Sequence, residues 1–364
     1  MKIRLRPRSN GFALLIVMCA IFVLSWMAWL MSASMKVESR LAVSSNNNQE
    51  MIWLGRSGVE LARWVLAQEA VLQPFDSLNQ KWAGGSGSMA ESNSVLASIP
   101  LDNYPIGDGS VSVKITDLDR LANINTAGAP VIQQALTLMG VDAGEISVVS
   151  DSIQDWVQAG DAPRIAGAKT DYYQGQNPPY NCKEAPMDDI SELLLVKGIW
   201  DHPEIYDPKT YGGDAMSGRP AAFKRHQLGF GTAPGETPSY PFGLVDLFTP
   251  FSSGKININT ADANVLQLLP GVDANAAASI IKYRSGPDGI DGTPDDTPYQ
   301  NANQLTASGI NPSAVGQMGR LCDVHSTVFK VTVTAHIGIA SRDFNAILYR
   351  PTGSHTVQVV SFYY

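Results

Sequence analysis

The densest group of side chains with ligand chemistry lies in RSGPDGIDGTPDDTPYQN, residues 284 to 301, where Asp288, Asp291, Asp295 and Asp296 fall among glycines and prolines. Calcium takes about six to eight oxygen ligands, and such a loop lets carboxylates and carbonyls converge without regular backbone. Without a cation the same charges repel one another and favour a solvated loop. The spacing lacks the Asp alternation and closing Glu of an EF-hand, so the motif match is loose. Asp155 with Asp161 is a smaller candidate, equally readable as a partial site or as helix capping. Any metal role at these positions is structural. His202, His226, His325, His336 and His355 show no metal-ligand spacing, and neither Gly-x-Ser-x-Gly nor a phosphate-binding loop occurs. Asp188 and Asp189 have the chemistry of an acid and base pair, but nothing places them in a cleft. No enzyme is expected, an exported hydrolase being the alternative.

Two elements must position these groups, a membrane segment and a folded body. Residues 12 to 35, FALLIVMCAIFVLSWMAWLMSASM, carry no charge. As a helix they would reach roughly 36 Å, enough to cross a bilayer core of about 30 Å. Lys2, Arg4, Arg6 and Arg8 precede them and stay cytoplasmic under the positive-inside rule, which puts everything after Lys36 on the far side. A cleavable signal peptide has a shorter apolar core, of about 7 to 15 residues, and Ser32-Ala33-Ser34 is a poor cleavage site. A plain signal anchor reads the hydropathy equally well. Without the four leading basic residues the chain has 22 Lys plus Arg against 34 Asp plus Glu, a net charge of -12. That balance argues against nucleic acid and for cations or basic partners. Cys19 sits in the apolar run, leaving Cys182 and Cys322 outside, where an oxidising compartment would allow a disulfide. Spacing alone does not bring them within bridging distance.

After Lys36 the helix continues, with Met51, Leu54, Gly58, Leu61 and Val65 on one face. Gln73-Pro74 ends it, and GGSGS at 84 to 88 is a loop. Gly109 to Thr116 alternates as a strand, and alternation returns at Thr327 to Ala335, Asn345 to Tyr349 and Thr356 to Phe362. Between lies a largely helical insertion with an internal repeat: RLANINTAGAPVIQQAL from Arg120 and KININTADANVLQLL from Lys255. Thr at the helix entrance and the Asn side chains suit the turn before each helix. The second copy runs on as LLPGVDANAAASIIKYR, a helix-hairpin-helix with Pro270-Gly271 at the bend. Such hairpins often bind DNA through turn amides at phosphates, which makes a competence or repair module one alternative, though a compact helical spacer fits the acidic balance better.

The junction of Gly11 with Phe12 resembles the leader cut by prepilin peptidase, which would cleave after Gly11 and methylate Phe12. Residues 152 to 199 resemble the signature of the K-type minor pseudopilins of type II secretion: Asp-Trp, a nearby Asp, Gly-Ala before Tyr, Pro-Pro-Tyr, then Glu-Leu-Leu-Leu-Val-x-Gly. With the leader, both Asn-Ile-Asn-Thr-Ala copies and the closing strands, the likeness runs in order along nearly the whole mature chain. Most pilin-like subunits have Glu five residues into the mature chain; Ile16 stands there, and the K-type subunit typically lacks that Glu. The resemblance implies an α+β fold: leader 1–11, transmembrane half-helix 12–35, pilin-like helix and first strand 36–118, inserted helical domain 119–323, and closing strands 324–364. It implies a subunit of the inner membrane that caps the pseudopilus tip and starts assembly. Its partners would be I- and J-type minor pseudopilins, the major pseudopilin, prepilin peptidase and the inner-membrane assembly platform. It also implies calcium, although Gln158 and Lys169 stand where the family often has acids, which weakens a site at Asp155. A minor pilin of a type IV pilus shares the leader and differs in partners.

Overall fold

The computed structural model describes residues 10–87, 91, 94–160, 162–212 and 240–364. Helix α1, Asn10–Leu72, runs unbroken for 63 residues. Its Leu14–Lys36 segment is long and apolar enough to cross a membrane, and none of it is covered by the rest of the chain. From Met51 onward the character changes, and Met51, Leu54, Val59, Ala62, Val65 and Leu66 are buried against the sheet. Gly55 and Gly58 let the helix approach closely, since a Cβ at either would run into Phe344 or Val333. The helix stops at Leu72, directly before Gln73-Pro74, where the proline ring would clash with the preceding turn.

Under α1 lies an antiparallel sheet ordered β1-β2-β7-β8-β9, made of Tyr104–Ile106, Gly109–Asp117, Val328–Ile337, Ala340–Tyr349 and Gln358–Tyr363. Val111, Val113 and Ile115 of β2, Phe329, Val331 and Val333 of β7, and Phe344, Ala346 and Leu348 of β8 face the helix. In β2 and β7 the residues between them are polar, as period-two alternation demands, whereas in β8 Ile347, on the opposite face, is itself buried. The register is continuous from β2 through β7 to β8, Ile115 opposite Val331 and Val331 opposite Ala346, and shifts once between β8 and β9, at Ile347/Leu348. Strand β1 is too short to show alternation; Gly107, at φ 58°, makes its turn into β2.

The chain leaves the sheet after Asp117 and re-enters at Val328. What lies between has its own hydrophobic core, including Ile132, Leu136, Ile153, Tyr173, Leu193 and Leu266. Its helices are α2 (Ala129–Met139), α3 (Ala143–Val157), α4 (Thr170–Gln174), α5 (Pro208–Tyr211), α6 (Leu244–Leu247), α7 (Ala263–Leu266), α8 (Ala274–Arg284) and α9 (Pro312–Met318). Among the described residues it also holds two small parallel pairs, β3 (Ala122–Asn123) with β4 (Phe248–Thr249) and β5 (Ile256–Asn257) with β6 (Cys322–Asp323). The α+β expectation, a long helix on a small antiparallel sheet with a helical insertion, is what the chain adopts.

Candidate functional site: anchor, seam and cation positions

Each Asn-Ile-Asn-Thr-Ala copy works as a two-pronged clasp. In both, the first Asn side chain accepts the N–H two residues on, Asn123 from Asn125 (2.8 Å) and Asn257 from Asn259 (2.9 Å). The second Asn exchanges two bonds with a distant backbone. Asn125 does so with Met187 (2.7 and 3.1 Å) and Asn259 with Tyr299 (2.8 and 2.9 Å). The copies differ in what the first Asn holds. Asn123 donates to the Ser252 carbonyl (2.6 Å), on the approach to the second copy, whereas Asn257 donates to the Asp76 carbonyl (3.2 Å) and to Ser326 Oγ (2.7 Å).

Asn257 thereby enters a buried polar seam between the insertion and the sheet domain. Asp117, at the end of β2, accepts from Thr260 and Ser326 hydroxyls at 2.5 and 2.6 Å. Asp119 accepts from the backbone N–H groups of Ser253 and Thr327, both at 2.6 Å. Arg350, closing β8, forks onto both carboxylate oxygens of Asp76 (2.5 and 2.6 Å) and donates to the Leu66 and Ser326 carbonyls. Burial, with Asp119 and Asp76 nearby, pushes Asp117 up to about 7. A second buried carboxyl, Glu69 on α1, is pushed up to about 8 by burial and by Glu91 beside it.

The cation candidates fare differently. Asp291 is withdrawn from the acidic loop by Arg284, whose Nε and Nη2 hold its two oxygens at 3.1 and 2.8 Å while Nη1 donates to the Ile258 and Ala261 carbonyls. Asp295 and Asp296 both accept from Thr293 Oγ1, at 2.7 and 3.1 Å, and Asp295 also accepts from Asp288 N (3.2 Å). Asp288 caps Ile290 N at 2.8 Å. Three carboxylates thus share a loop without converging, and among the described residues no three His, Cys, Asp or Glu side chains gather as a metal cage. Asp155 is buried and paired: Arg164 donates to it at 2.8 Å, and Lys169 Nζ reaches its backbone carbonyl, also at 2.8 Å. The residues at Asp155 therefore do not fit calcium, because fixed cations already hold its oxygens. Asp161 lies outside the described residues.

The sequence left open whether Cys182 and Cys322 pair. Cys182 and Cys322 are both free and buried. Cys182 lies against the Asp155 carbonyl (3.5 Å), whereas Cys322 is held in β6 beside Ile256. Burial pushes the Cys322 thiol up to about 11 and raises that of Cys182. Of the other titratable candidates, Asp189 caps the Ile190–Leu195 turn and Asp188 pairs with Lys183 on the surface. His202 bridges Glu145 and Glu204, His325 pairs with Asp323, and His226 lies outside the described residues.

At the anchor, Phe12 and Ile16 point outward from α1, as does Cys19. In the hairpin, α7 and α8 flank Pro270-Gly271, and Asp273 caps α8 by accepting from Ala276 N (2.8 Å). A carboxylate there occupies the position a backbone phosphate would need, which weighs against DNA.

Residues 114–207 match the family model for type II secretion system (T2SS), protein K, and residues 252–290 that of the helix-hairpin-helix motif. A type II secretion system protein K from Klebsiella pneumoniae is 25% identical over 209 residues, covering 53% of this chain and 59% of the relative. A putative type II secretion system protein K of Escherichia coli K12 is 26% identical over 195 residues, with coverages of 53% and 59%. The chain thus spans about three fifths of the length of the curated relatives it matches. A chain in the crystal structure of the GspK-GspI-GspJ complex of the type 2 secretion system from enterotoxigenic Escherichia coli shares the fold, with a TM-score of 0.59 at 16% identity over 88% of this chain and 97% of that one. Family model, relatives and fold converge on a chain that resembles type II secretion system protein K, as its own motifs imply.

Proposed function

We propose that the chain is a minor pseudopilin of a type II secretion system, held in the inner membrane by Leu14–Lys36 with its body in the periplasm. It caps the pseudopilus and helps start assembly with I- and J-type minor pseudopilins, for export of folded proteins across the outer membrane. The observation that carries this reading is α1, one unbroken helix whose apolar half is bare while its second half is the packing partner of the sheet. A bare apolar helix is at home in lipid or among other helices, and a bundle of pseudopilin helices supplies both. Ile16 supports a place at the top, since a carboxylate there would need a neighbour's ammonium and a capping subunit has none above it. The insertion domain gives the head its bulk.

The chain makes and breaks no bonds in this role. Prepilin peptidase cuts after Gly11 and methylates Phe12, and the assembly platform and major pseudopilin are the remaining partners. Calcium belongs to the proposal at the Asp288 to Asp296 loop alone, where Asp288 and Asp295 are exposed and Asp296 is half-buried beside them; calorimetric titration against an Asp295→Asn, Asp296→Asn variant tests it. The main test mixes the full chain in detergent with I- and J-type subunits of the same organism. Light scattering is expected to find one copy of each in a stable complex, and mass spectrometry a chain beginning at Phe12 and one methyl heavier. Failure to associate would move the reading to a type IV pilus.

A further inference from the structure

The α3 C-terminus ends in carbonyls with no partner inside the helix, the negative end of its dipole. Two of them, Asp155 O and Gln158 O, accept from Lys169 Nζ at 2.8 and 2.5 Å. Lys169 is only 7% exposed, and the Glu184 carboxylate lies 4.0 Å from its Nζ. The Arg164 guanidinium adds a second cation beside the first, with Nη1 on Asp155 Oδ1 (2.8 Å) and Nη2 on Gln158 Oε1 (2.7 Å). Lys197 holds the same stretch from the other side, donating to the Ala166 and Gly167 carbonyls at 3.3 and 3.2 Å. Carbonyls, a buried carboxylate and a second carboxylate nearby are the oxygen set a hard divalent ion would choose.

We propose that this chain supplies its own cations there: the Lys169 ammonium, seconded by the Arg164 guanidinium, fastens residues 162–169 to the end of α3 in place of a divalent ion. An ion bound to the Asp155 and Gln158 carbonyls would sit where Nζ sits, against two fixed positive charges, so the two arrangements exclude each other. The consequence is a head whose first half keeps its shape at any calcium level, whatever the acidic loop around Asp295 does.

The test is hydrogen exchange on the full chain in detergent, read by mass spectrometry on a peptide covering residues 162–170, in calcium and in EGTA. The wild-type peptide is expected to exchange equally in both. Calcium-dependent slowing of that peptide would overturn the proposal. In Lys169→Met, losing two charge-assisted hydrogen bonds should speed exchange of the peptide at least about tenfold with or without calcium, while a peptide from α8 is unchanged. Unaltered exchange in Lys169→Met would equally overturn it. Should that variant fail to fold, the wild-type comparison still decides, because it needs no substitution.

Discussion

Arg350→Met tests whether the seam is held by charge. In the native protein Arg350 is 6% exposed and its Asp76 partner 2%. It makes two bonds to that carboxylate, donates to the Leu66 and Ser326 carbonyls, and lies 5.0 Å from the Phe329 ring centroid. Met fills similar volume but leaves Asp76 charged and buried next to Asp117 and Asp119. Breaking a buried pair from one side costs about 3–5 kcal/mol. For a body of this size each kcal/mol moves the midpoint by about 2–4 °C, so the melting temperature should fall by roughly 6–20 °C. Circular dichroism melts and urea titrations on the body from Lys36 onward measure this. The decisive comparison adds Asp76→Asn, which removes the orphaned charge, so the double variant should recover a large part of the loss. A loss under about 1 kcal/mol, or strictly additive variants, would refute the idea that this pair fixes the seam.

Other consequences follow from the same geometry. Asp117 and Glu69 have folded pKa values raised above their unfolded ones, to about 7 and about 8. Their contribution is therefore fully present below about pH 4 and lost as pH rises through these values, so urea midpoints should fall between pH 4 and 8, and less steeply in Asp117→Asn. Asn259→Ala removes two buried bonds to the Tyr299 backbone and should cost about 2–4 kcal/mol; Asn125→Ala, half-buried, should cost less, and equal losses would contradict the burial argument. Gly58→Val drives a side chain into Val333 and should destabilise the helix-on-sheet contact by about 1–3 kcal/mol without altering membrane insertion, which a carbonate-extraction assay checks.

Much of the fold could be read from the sequence because its signals are local. Alternation in VSVKI and VFKVTVTA, and apolar residues at three- and four-residue spacing after Met51, each report a face buried against one layer. Strand β1 escaped because three residues cannot alternate, and β8 was read only from Asn345 because Ala340 to Arg342 are too small or polar to announce it. The ligand chemistry was harder. Asp291 reads as one member of an acidic cluster, yet it belongs to Arg284, whose side chain turns back from the last turn of α8 over the second Asn-Ile-Asn-Thr-Ala copy. Cys182 and Cys322 are the two thiols beyond the anchor, but sequence distance says nothing about which strand or loop each one joins. Asp76, Asp117, Asp119 and Arg350 were missed altogether. Their one signal is position, each at a place in the chain where a charge is unremarkable until the four meet.

That meeting explains why the repeat is asymmetric. Both copies use the second Asn to gather a distant backbone inside the insertion, but only the second copy's first Asn reaches out of it, to the Asp76 carbonyl and Ser326. The first copy grips the approach to the second, and the second grips the end of α1 and the start of β7. Besides the two covalent connections at Asp117 and Val328, Asn123, the Ser252 segment, Asn257 and Asp76 thus tie the head to the chain just past the helix that carries the apolar Leu14–Lys36 segment. In the proposed role at the tip of a growing fibre that continuity would matter, because a head joined by a slack linker would move independently of its shaft. The buried carboxylates are the cost of it: Asp117 and Asp119 take the hydrogen bonds of Thr260, Ser253 and Thr327 from both sides of the seam, which an apolar joint of equal area would pack but not orient.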